Sequence, residues 1–174
     1  GVIFLCDFYS MYKENSLNQT LESKLAHSHA AYIFAIRSLP TPEQKLPITL
    51  NGYTFSTESQ INSMLIELGW SFFCRYEGCL EAHIKELGIK LTKKLTLADW
   101  FRENKIDVPS CYTSGLDVYR TIRNKLHHED GTVFNGKDNH EIHIFPEHME
   151  RFYRLFVWCG TQMESVVLTE KNKI

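Results

Sequence analysis

The sequence is notable first for what it lacks. No stretch of 18 or more apolar residues occurs, so no membrane-spanning helix is expected. The opening GVIFLCDFYS has a short apolar run but neither a basic start nor a small-residue cleavage site, so it does not read as a signal peptide. No CxxC pair is present, and the 5 cysteines (Cys6, Cys74, Cys79, Cys111, Cys159) are odd in number and lie in apolar surroundings. They read as reduced and mostly buried, which fits a cytoplasmic protein without disulfides or thiolate metal sites. No glycine-rich phosphate loop occurs, which argues against a nucleotide-dependent enzyme, and no nucleophile motif stands out. Excess charge is also lacking: 19 Lys+Arg stand against 21 Asp+Glu, a formal net charge of −2. That balance excludes a protein that grips nucleic acid through a broadly basic surface.

What is present is a folding composition, 43% hydrophobic and 13% aromatic over 174 residues, enough for one domain with one core. There are also 8 histidines, unevenly distributed. Leu17, Leu21, Leu25, Tyr32, Ile36 and Leu39 recur at helical spacing, predicting a first helix between about Phe8 and Leu39. Pro40, Pro42 and Pro47 then mark a loop, and ITLNGYTF predicts a small hairpin turning at Asn51-Gly52. Thr57 with Gln60 forms a capping-box pattern that opens a second helix of about 30 residues, roughly 45 Å long, ending at Gly88. Its stripe runs from Ile61 to Leu87, with Trp70, Phe72, Phe73 and Tyr76 as core aromatics.

Residues 96–104 predict a short helix capped by Thr96 and Asp99. A fourth helix is expected from Gly115 to His128, starting after Ser114. The alternation in VFNGKDNHEIHIF predicts a hairpin turning at Asn135-Gly136, with a second strand that buries Ile142 and Ile144. Pro146 opens the last helix. The expected fold is mainly α: an up-and-down four-helix bundle with one short extra helix and a small β-hairpin before the last helix, forming one domain over 1–174.

The chemistry-bearing segment is VYRTIRNKLHHEDG, residues 118–131. On a helical wheel at about 100° per residue, Arg120, Arg123, Asn124, His127 and His128 share one arc of about 140°, opposite Val118, Tyr119, Ile122 and Leu126. Two guanidinium forks, an amide and two imidazoles suit a phosphodiester: Arg holds phosphate oxygens, and His exchanges a proton near neutral pH. The cluster lies at a helix C-terminus, where the dipole disfavours a bound anion, so the two arginines or a second chain must overcome it. Basic residues there also serve simply to satisfy terminal carbonyls. Histidines 140, 143 and 148 are a weaker candidate for zinc, since strand alternation sends His140 and His143 to opposite faces. His27, His29 and His83 read as structural, and the Lys90, Lys93, Lys94 group as a solvated loop.

The stretch IRNKLHHEDG resembles the signature of the HEPN superfamily, in which an Arg and a polar residue are followed by a His, here Arg123, Asn124 and His128. Arg120 with His127 meets the looser spacing, so the choice of His stays open. Asp130 stands where one subgroup of the family has Tyr. The resemblance implies a helical bundle that forms a homodimer. It also implies binding and metal-independent cleavage of RNA without a cofactor, as in toxins with antitoxin partners and effectors of antiviral defence. Noncatalytic RNA- or protein-binding modules also occur in the family. It further implies an acidic residue on the second helix facing the motif, for which Glu77 is the candidate to pair with Arg123.

Overall fold

A computed structural model describes residues 19–92, 94–128, 132–135 and 138–171. Helix α1 (Leu21–Arg37) is capped by Thr20, whose hydroxyl accepts from the Ser23 amide at 3.1 Å. The expected start near Phe8 lies outside the described residues, and the helix stops at Arg37, shortly before Pro40 and Pro42. Strands β1 (Ile48–Leu50) and β2 (Tyr53–Phe55) pair antiparallel about Asn51-Gly52. Both turn residues have positive φ, 51° and 81°, the conformation a two-residue hairpin requires.

Helix α2 (Glu58–Glu86) opens with Gln60 Oε1 accepting from the Thr57 amide, as the capping box demands. It ends where Gly88 takes φ 76° and the Ile89 amide reaches back to the Ile84 carbonyl. Helix α3 (Leu97–Glu103) carries a reciprocal cap: Thr96 Oγ1 accepts from the Asp99 amide, and the Asp99 carboxylate accepts from the Thr96 amide. Helix α4 (Ser110–His128) starts directly after Pro109, earlier than the expected Gly115. Proline's fixed φ suits the approach to a first turn, and the Tyr112 amide bonds the Pro109 carbonyl at 2.9 Å.

Strands β3 (Thr132–Asn135) and β4 (Asp138–Glu141) form a second antiparallel hairpin with Asn135 opposite Asp138; the expected turn at Asn135-Gly136 falls partly outside the described residues. The second strand is shorter than expected. It ends at Glu141, and Ile144 is buried from the connection beyond it, before α5. That segment crosses α2 at Gly69, where an added methyl would overlap the Ile144 carbonyl oxygen. Trp70 Nε1 fixes the crossing by donating to the Ile142 carbonyl. Helix α5 (Pro146–Lys171) closes the chain.

The four long helices form an up-and-down bundle ringed α1–α2–α4–α5, with α2 and α5 also meeting across the middle. Their directions follow from the contacts. His29 meets Tyr76 while Lys24 meets His83, so α1 and α2 run antiparallel. Phe73 meets Phe152 while His83 meets Glu164, so α2 and α5 run parallel. The core is the cluster of Leu21, Leu25, Phe73, Tyr76, Leu80, Phe101, Tyr119, Phe156 and Met163, each no more than 1% exposed. Burying each such side chain stabilises the fold by roughly 1.5–3 kcal/mol. No helix among the described residues is long and apolar enough to cross a membrane.

Candidate functional site

Helices α2 and α4 run antiparallel and carry opposite charges one turn apart. Arg123 Nε lies 3.5 Å from Glu77 Oε2, and Arg120 Nε donates to Glu81 Oε1 at 3.4 Å. Four residues on α2 match three on α4, so both pairs fall on facing surfaces. Glu77 is 4% exposed, whereas the Arg123 side chain is 41% exposed. The guanidinium is therefore held from beneath and open on its outer side. Its Nη1 donates to Asn124 Oδ1 at 3.1 Å, which links the two adjacent residues of the motif. Burial raises the Glu77 carboxyl above its usual value and the Glu81 charge adds to this, while Arg123, Arg120 and Lys85 oppose it.

These pairs form one side of an open cleft of about 870 Å³ between α2, α4 and the chain leading into α3. Leu91, Leu97 and Leu116 contribute apolar lining. Its walls include Asp117, Lys85, Thr92 and Thr121. Tyr119 also lines it, 1% exposed, and its hydroxyl has no hydrogen-bond partner. Burial and the neighbouring Glu81 push the Tyr119 phenol well above its ordinary range.

Of the six residues singled out from sequence, Arg120, Arg123, Asn124 and Glu77 come together on the cleft. His127 and His128 are exposed at the end of α4 and do not line it. The charges on the cleft balance. Glu77, Glu81 and Asp117 offset Lys85, Arg120 and Arg123, so the cleft is formally neutral. Sequence reasoning missed Glu81, Lys85 and Tyr119. The signal for the first two was a charged stripe, Glu77, Glu81 and Lys85, at four-residue spacing on the second helix.

The remaining histidines have separate surroundings. His29 stacks on Tyr153 with ring centroids 3.8 Å apart, and its Nδ1 lies 2.8 Å from the Tyr76 hydroxyl. Its Nε2 is 3.3 Å from Glu150, yet burial outweighs that carboxylate and lowers the imidazole pKa. His83 is 3% exposed where α1, α2 and α5 meet. Its Nε2 lies 2.8 Å from Glu164, and its Nδ1 lies 3.4 Å from the Lys24 ammonium, which pairs with Glu86. His143 is exposed beside Glu141, and His148 Nδ1 accepts from the Phe145 amide. Among the described residues no three His, Cys, Asp or Glu side chains gather as a metal site.

No protein-family model, curated protein or solved structure matches the chain.

Proposed function

We propose that this is a HEPN-like RNA-binding protein that cleaves RNA without a metal, by attack of a 2′-hydroxyl on the adjacent phosphodiester. The observation that carries the reading is Arg123, held on the buried Glu77 carboxylate with its outer edge open, one helical turn before the exposed His127 and His128. Arg123 would bind the non-bridging phosphate oxygens and stabilise the charge that builds up in the transition state. One imidazole takes the 2′-hydroxyl proton. A second, as imidazolium, gives a proton to the departing 5′-oxygen, leaving a 2′,3′-cyclic phosphate and a 5′-hydroxyl.

The second imidazole comes from the neighbouring histidine or from a second copy of the chain. A homodimer that brings two α4 ends to one groove also supplies two more arginines against the unfavourable helix dipole. In this reading the protein acts in the cytoplasm, as a defence effector or as a toxin held by an antitoxin-like partner. A noncatalytic binding module of the same fold is favoured by one observation, the formal neutrality of the cleft, which weakens attraction for a polyanion.

The test is incubation of single-stranded RNA with the protein in EDTA. Cutting is expected for the wild-type chain and is lost in Arg123→Ala and in His128→Ala, with helical circular dichroism retained. Undiminished cutting by both variants overturns the assignment, and no cutting by the wild-type chain, with RNA still bound, selects the noncatalytic reading.

A further inference from the structure

A second cluster of charged groups lies away from the cleft, under the start of α1. Buried His83 of α2 sits there between Lys24 of α1, Glu86 of its own helix and Glu164 of α5. Its Nδ1 lies 3.4 Å from the Lys24 ammonium and 3.7 Å from Glu86 Oε2. Its Nε2 lies 2.8 Å from Glu164 Oε1, off the line of the ring N–H. Among the described residues these three are the charged groups that face it. Burial pushes the thiol of Cys79, one turn earlier on α2, up, so it adds no charge. None of the four polar residues lines the cleft that holds Arg123.

Both polar contacts of α1 with this cluster come from its first turn. A helix start leaves its leading N–H groups without partners inside the helix. Thr20 serves the Ser23 amide, but the Leu21 amide donates to Glu164 Oε1 at 2.9 Å, the same oxygen that faces His83. Lys24 reaches from that turn to Glu86 and to His83 Nδ1. Nδ1 accepts from the ammonium only while it carries no proton. A proton there sets an imidazolium against an ammonium and makes both compete for Glu86. His83 is confined within the bundle, whereas Lys24 ends a flexible four-carbon stem, so Lys24 gives way.

Burial and Lys24 lower the His83 pKa in the closed bundle, outweighing Glu164 and Glu86. Opening the first turn removes Lys24 and admits water, so the open form binds the proton more tightly and acid favours opening. Helix ends open locally at far lower free energy than the core. Leu21, packed closely on Gly160 of α5, keeps the closed form dominant at neutral pH.

We propose that the first turn of α1, Leu21–Lys24, is a pH-controlled latch, closed on α2 and α5 while His83 is neutral and released when His83 takes a proton. The latch sets how firmly the chain entering α1 is tied to the bundle. It is independent of any RNA chemistry at Arg123.

Amide hydrogen exchange of the full chain, read by NMR and corrected for the intrinsic pH dependence of exchange, is the test. Between pH 7.5 and pH 5.5, protection of the Leu21 to Leu25 amides should fall about fivefold. The limit is about tenfold, for a histidine that titrates at 6.5 only in the open form. Exchange of these amides should be insensitive to low urea, because opening one turn exposes little surface, whereas core amides such as that of Phe156 exchange faster.

His83→Gln should abolish the fall at Leu21 to Leu25. His29, whose pKa burial also lowers, leaves a residual fall centred further along α1. Lys24→Met should raise the titration midpoint of the His83 imidazole resonances and shrink the fall. The latch is overturned if protection of Leu21 to Leu25 is the same at both pH values or if His83→Gln loses it to the wild-type extent. It is equally overturned if urea speeds their exchange in step with the core, or if Lys24→Met changes neither midpoint nor fall.

Discussion

Replacing Glu77 by Gln tests what the buried carboxylate does. Removing one partner of a buried ion pair usually costs about 3–5 kcal/mol, because the surviving charge is stranded away from water. Here the survivor is stranded only in part: the Arg123 side chain is 41% exposed, although its Nε, the atom facing Glu77, is buried. The buried member is Glu77, and burial raises its carboxyl pKa despite Arg123 and Arg120. Each unit of such a rise is about 1.4 kcal/mol by which the ionised carboxylate opposes folding at neutral pH. Gln keeps the volume and an oxygen facing Arg123 Nε while removing that opposition. Glu77→Gln is therefore expected to change stability at pH 7 by no more than about 1 kcal/mol, toward greater stability. The carboxyl binds its proton more tightly in the folded chain. Wild-type protein thus gains stability from Glu77 as pH falls through the raised folded pKa toward the unfolded value of 4.5, and the variant lacks this gain. The variant's advantage should shrink between pH 7 and pH 5. Urea unfolding followed by circular dichroism at both pH values reads the difference, and a loss above about 2 kcal/mol at pH 7 would refute the reasoning. A fall in RNA cleavage with stability intact would show that Glu77 positions Arg123.

Two further outcomes concern the frame around the site. Gly69→Ala should destabilise by more than about 2 kcal/mol, because its methyl meets the Ile144 backbone, which cannot yield without moving the chain between β4 and α5. Gly78→Ala, which meets nothing within 4 Å on the same helix, should stabilise by about 0.5–1 kcal/mol, and identical thermal shifts for the two would contradict the packing described. His83 has its pKa lowered below 6.5 by burial and by Lys24, against the pull of Glu164 and Glu86. The unfolded chain therefore binds this proton first, and stability falls as pH drops below about 6.5. Urea midpoints at pH 7.5 and pH 5.5 should differ more in wild-type protein than in His83→Gln, with the variant's residual slope set by His29, whose pKa is also lowered, against Glu77, whose pKa is raised.

Much of the bundle was legible because local rules and tertiary packing agree. The capping box at Thr57 and Gln60, the Asn51-Gly52 turn and the Thr96–Asp99 cap are each satisfied within a few residues, so sequence contains the whole interaction. Departures occur where a distant partner decides. The start of α4 moved from Gly115 to Ser110 because Gly115 is not a boundary; it is a gap in α4 that receives Leu155 of α5. Ile144 showed as a strand residue because alternation cannot distinguish a sheet face from a connection crossing a helix. At the site, the wheel grouped five residues of α4 by angle, and three of them, Arg120, Arg123 and Asn124, line the cleft. It could not show that the cleft stops before His127, because its wall is set by α2 and the approach to α3.

The same limit explains the charge. Read along one helix, Arg120 and Arg123 look like an anion site with nothing opposite. Across the interface each faces a carboxylate, and with Asp117 and Lys85 the cleft is formally neutral. A neutral cleft does not draw in a polyanion from a distance, since long-range steering needs a field of one sign. Affinity for a phosphate there must come from short contacts on the guanidinium edges that the glutamates leave open, together with burial of whatever is attached to it.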